Sequence, residues 1–100
     1  MKKNRLEAYQ EQARSMLDSW SMDISRLRAQ AVLLEAGERS EAVRRLAELD
    51  ALYGEVFRQY VAMQVNVNGR LDDLKRAFER AAAPLCEALD QPPRKSPERL

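Results

Sequence analysis

Apolar residues recur along this chain at helical spacing. In the first third they fall at Leu6, Tyr9, Ala13, Met16, Trp20, Ile24, Leu27, Ala31 and Leu34. Steps of three and four residues place side chains on one face of an α-helix. One repeated four-residue step, at Trp20, is a stutter in an otherwise heptad pattern. Leu17, Val32 and Leu33 widen the stripe beyond the narrow seam of a two-stranded coiled coil. A wide stripe predicts a bundle of three or four helices.

The seam resumes at Leu46, Leu49, Tyr53, Val56, Tyr60, Met63 and Val67, then runs through Leu71, Leu74, Phe78, Ala81, Leu85 and Leu89. Between the two runs stand Gly37 and Ser40. A glycine ends a helix readily, and a serine caps the next, with Glu41 at its positive end. The pattern therefore predicts helices near 4–36, 40–66 and 70–90. The segment Val65-Asn66-Val67-Asn68-Gly69 has poor helix propensity, and reads as a second turn or as an irregularity in one long helix. Pro84 inside the last run predicts a kink or a break after Ala82, with a final turn through Leu89. Gln91-Pro92-Pro93-Arg94-Lys95-Ser96-Pro97 reads as the start of a disordered tail. The expectation is an all-α fold: an antiparallel helical hairpin or a three-helix up-down bundle with coiled-coil packing. One domain spans 1–90, and a Pro-rich tail spans 91–100.

Composition narrows the chemistry. The chain has 100 residues, with 17 Lys+Arg, 16 Asp+Glu and no histidine. Without histidine there is no His-based triad, no Cys/His zinc site and no Glu-x-x-His di-iron motif. Charge is balanced locally as well. Residues 1–36 carry six basic and five acidic groups, and residues 66–90 carry four and five. A nucleic-acid binder shows a basic block or stripe, so no nucleic-acid partner is expected. The single cysteine, Cys86, fits a reducing compartment and lacks a basic neighbour one turn away. It reads as a small apolar residue. The basic start, Met1-Lys2-Lys3, is followed by no apolar stretch, so no signal peptide is expected. The longest uncharged run, between Arg58 and Arg70, is eleven residues, against roughly 20 for a membrane span. A soluble, cytoplasmic protein is the expectation.

Each remaining feature favours packing over chemistry. Trp20 lies on the seam and fills a core. Tyr53 and Tyr60 are seam residues seven apart, while Phe57 lies beside the seam, where it would serve a second interface. Met16 and Met63 are on the seam and Met22 is off it. Glu35/Arg39, Glu41/Arg45, Arg44/Glu48 and Asp72/Arg76 have the spacing of solvated helix-face ion pairs rather than of an acid–base site. No catalytic residue, cofactor or metal site is expected.

The stretch Leu17-Asp18-Ser19-Trp20-Ser21-Met22-Asp23-Ile24-Ser25-Arg26-Leu27 resembles small, mostly uncharacterised bacterial helical coiled-coil proteins. These carry Leu-Asp-x-Trp-x-x-x-Ile-x-x-Leu in the first helix. Leu71-Asp72-Asp73-Leu74-Lys75-Arg76-Ala77-Phe78-Glu79-Arg80-Ala81 is similar to their later helix. The resemblance spans most of residues 5–90 and rests mainly on heptad composition. It also implies a weak likeness to exchangeable apolipoproteins, whose amphipathic helices coat lipid. The expected function is therefore non-enzymatic: a helical interaction or scaffold protein that self-associates, as a dimer first, or docks its seam on a partner helix. The alternative is an amphipathic binder of lipid or membrane surfaces. Its usual basic polar face is missing here.

Overall fold

A computed structural model describes residues 4–66 and 68–90. Three helices follow one another: α1 (Arg5–Ala31), α2 (Ala36–Val65) and α3 (Leu71–Asp90). Short turns join them, so the bundle runs up, down and up. The central α2 packs against both neighbours, while α1 and α3 share a smaller contact. The expected tail, 91–100, and the seam position Val67 lie outside the described residues.

Helix α1 begins where its sequence offers a capping box. The Asn4 side chain accepts a hydrogen bond from the Glu7 amide at 2.7 Å, and the Glu7 carboxylate accepts one from the Asn4 amide. Two amides that a helix start leaves unpaired are thereby satisfied.

The first turn lies earlier than Gly37 and Ser40 predict. Helix α1 ends at Ala31, and residues 32–35 reverse the chain; Gly37 and Ser40 sit inside α2. Both ends of this turn keep negative φ, which needs no glycine. Val32 has φ −70°, and Glu35 has φ −73° with ψ 164°. The amides of Leu33 and Leu34 bond the carbonyls of Gln30 and Ala31, and the Arg39 guanidinium closes the turn on the Leu34 carbonyl at 2.7 Å. Val32 and Leu33, counted above with the buried stripe, are consequently turned outward at 65% and 83% exposure.

The second break is a turn. Asn66 caps α2, and the Gly69 amide bonds the Asn66 carbonyl at 3.0 Å. A Cβ on Gly69 would lie 2.9 Å from Asn66 Nδ2 and 3.2 Å from its carbonyl oxygen, so any larger residue would press on Asn66. Helix α3 then starts with Asp72 and Asp73 in its first turn, at the positive end of the helix dipole.

Pro84 does not break α3, which runs through to Asp90. The proline is exposed, and so is Arg80, whose carbonyl loses its helical partner to the ring and faces water. Beyond it, Leu85 is fully buried, and Ala88 and Leu89 pack on the core. Apolar burial on both sides of Pro84 holds the last turns in place.

Candidate interaction surface

The predicted seam closes upon itself within one chain. Tyr9, Ile24, Leu46, Leu49, Val56, Tyr60, Met63, Phe78 and Leu85 are buried together with Ala13, Leu17, Ala31 and Ala82. Met16, Trp20, Leu27, Tyr53, Leu71 and Leu74 pack against them, partly buried. Leu6 and Leu34 are half-buried. Phe78 is the centre, with Tyr9 edge-on at 6.0 Å and Trp20 stacked at 6.4 Å between ring centroids. Among the described residues no polar or charged residue is buried. The seam thus forms the core of the bundle.

Polar groups around the core are structural. The Tyr9 hydroxyl donates to Glu79 Oε2 at 3.1 Å, and the Lys75 ammonium sits 5.3 Å from the Tyr9 ring centre. Burial first, then the bond to Glu79 and its negative charge, push the Tyr9 phenol up to about 12. Burial, and then the charge of Asp90, raise the Cys86 thiol above its ordinary value, which favours its protonated form. Gln10 donates to the Met63 carbonyl at 3.0 Å, and Arg45 to the Ala88 carbonyl at 2.9 Å.

Several ion pairs take a three-residue register where the spacing predicts four. Arg44 pairs with Glu41, Arg76 with Asp73, and Arg58 with Glu55, all three residues apart, while Arg39 is taken by the Leu34 carbonyl. Three- and four-residue spacings are near-equivalent on a solvated face, so sequence alone does not choose between them. Arg28 Nη2 reaches across to both carboxylate oxygens of Asp50, at 3.0 and 3.2 Å, and ties α1 to α2.

Comparison with protein-family models, with curated proteins and with solved structures finds no match. Function therefore rests on the surface itself. Among the described residues no group of three or more His, Cys, Asp or Glu could hold a metal ion. Among them, too, no helix is long and apolar enough to cross a membrane. A groove between α1 and α2, lined by Glu7, Gln10, Arg14 and Tyr60 among others, is wide and open to solvent.

The remaining feature is an exposed apolar stripe on α2. Val43 is 56% exposed, Phe57 45%, Val61 38% and Val65 75%. With Ala47, Asp50 and Gly54 these residues form a second run at steps of three and four along the helix. Phe57 fixes one edge of the stripe, stacked on Tyr53 at 6.4 Å and tilted against Tyr60 at 6.1 Å. At the other end, Val32 of the first turn joins Val43 and Ala47 around a shallow groove. Sequence reading placed Phe57 beside the seam but missed the stripe. Its signal was the second heptad-like run, hidden because Asp50 and Gly54 interrupt it and because the stronger seam lies on the same helix.

Proposed function

We propose that this chain is a non-enzymatic helical interaction protein, acting through the outer face of α2 either by self-association or by docking a partner helix. One observation carries the reading. From Gly54 to Val65 that face presents Phe57, Val61 and Val65 one turn apart, all exposed, with no charge among them on the stripe. Singly exposed apolar residues are ordinary, whereas an aligned group on one helix face costs solvation that a partner would recover. Such a stripe is the recognition unit of helix–helix docking. The resemblance of residues 17–27 and 71–81 to small bacterial coiled-coil proteins supports the same class. The single cysteine, which can form no internal disulfide, suits work in the reducing cytoplasm.

The test is a photo-crosslinking amino acid placed at Val61, and separately at exposed Ser25 of α1, in the native host. Position 61 is expected to give a discrete adduct and position 25 none. No adduct from position 61, or equal yields from both, would refute the reading.

A further inference from the structure

Gly54 is unexplained by the fold of a single chain. It lies in the interior of a 30-residue helix, where glycine costs roughly 1 kcal/mol relative to alanine. No turn or left-handed backbone requires it, and a Cβ built there meets nothing within 4 Å. Its value lies in what it permits from outside: the backbone of another helix can approach closely at this point.

The residues on either side of Gly54 are complementary to themselves when read in reverse. Four before it is Asp50 and four after it is Arg58. Seven before is Ala47 and seven after is Val61; three before is Ala51 and three after is Phe57. Eleven residues away stand Val43 and Val65. Opposite charges and large-against-small pairs therefore fall at mirrored positions, and the two small alanines are exposed. A parallel pairing would instead set Asp50 on Asp50 and Arg58 on Arg58.

Resting on the reading above, we infer that a second copy of this chain covers the stripe, with the two α2 helices antiparallel and crossing at Gly54. In such a two-fold pairing each contact is made twice. Val61 and Phe57 of one copy fill the space over Ala47 and Ala51 of the other. Arg58 of one copy joins the exposed Arg28–Asp50 pair of the other, an arrangement of two arginines on one carboxylate that leaves no like charges directly opposed along α2.

The test is sedimentation equilibrium of the full chain across a concentration series, with circular dichroism as the folding control. The expected result is a reversible dimer of twice the 11.5 kDa chain mass. Arg58→Glu and Val61→Asp should each weaken association by about tenfold or more while keeping the helical signal. Gly54→Cys in a Cys86→Ala background should form a disulfide-linked dimer under mild oxidation, because the two-fold places these residues face to face. Met22→Cys, exposed elsewhere on α1, should not. A monomer mass at every concentration overturns the inference, as does a dimer indifferent to both substitutions or a Met22→Cys chain that cross-links equally well. Should the purified chain stay monomeric and float with liposomes, or should it stay monomeric while position 61 cross-links to a different protein, the second copy is excluded. In the latter case the outer-face reading itself survives.

Discussion

Phe78→Ala tests the bundle at its centre. The ring is fully buried and touches both Tyr9 and Trp20, so its removal opens a cavity shared by α1 and α3. Truncation of a buried phenylalanine costs about 3–5 kcal/mol, from lost transfer free energy and the residual cavity. A domain of this size has about 5–15 kcal/mol in total. With a urea dependence of about 1.5 kcal/mol per molar, the unfolding midpoint should fall by about 2–3 M. Trp20 fluorescence and helical circular dichroism report the same transition from two places. Phe57→Ala is the matched control: the same side chain is deleted from a site 45% exposed, and the loss should stay within about 1 kcal/mol. Phe78→Leu, which retains most of the volume, keeps the comparison open should the alanine variant fail to fold. Equal midpoints for Phe78→Ala and Phe57→Ala would refute the placement of Phe78 at the core.

Two further outcomes follow from named contacts. The Tyr9 phenol titrates at about 12 in the fold against 10.0 unperturbed, so its contribution is complete below pH 10 and is lost as pH rises toward 12. Urea midpoints should therefore drop more steeply between pH 10 and 12 in the native sequence than in Tyr9→Phe; parallel curves would contradict the burial of Tyr9 and its hydrogen bond to Glu79. Gly69→Ala should destabilise by about 1 kcal/mol, since the added carbon would press on Asn66 from 2.9 Å, and an unchanged thermal midpoint would show the turn to be looser than described.

The core was legible because burial follows period. Tyr9, Leu49, Val56, Phe78 and Leu85 are all read from three- and four-residue steps, and all are buried. Punctuation was less legible. Gly37 and Ser40 have the chemistry of a helix boundary, yet the boundary is set by where Leu34 and Leu46 find the bundle, and Arg39 supplies the cap from five residues away. Pro84 carries a strong local penalty that burial of Leu85 and packing of Leu89 outweigh. Both misreadings are cases of tertiary packing overriding local propensity. The Asn66–Gly69 segment went the other way: local chemistry and fold agree, and the turn forms although the seam runs through it.

The same logic decides which surface is left for function. A heptad seam on one long helix would need a second chain to cover it, and then the seam itself would be the interface. Once the chain folds back twice, each helix covers the seam of its neighbour and that demand is met internally. Helix α2 is packed on two sides, so the exposed valines of its second apolar run bury little within the bundle, and Gly54 within that run lowers the helix's own stability. On the proposed reading, a residue that weakens the helix without serving the core is there for contact from outside. The outer face of α2, rather than the seam, is where association should be sought.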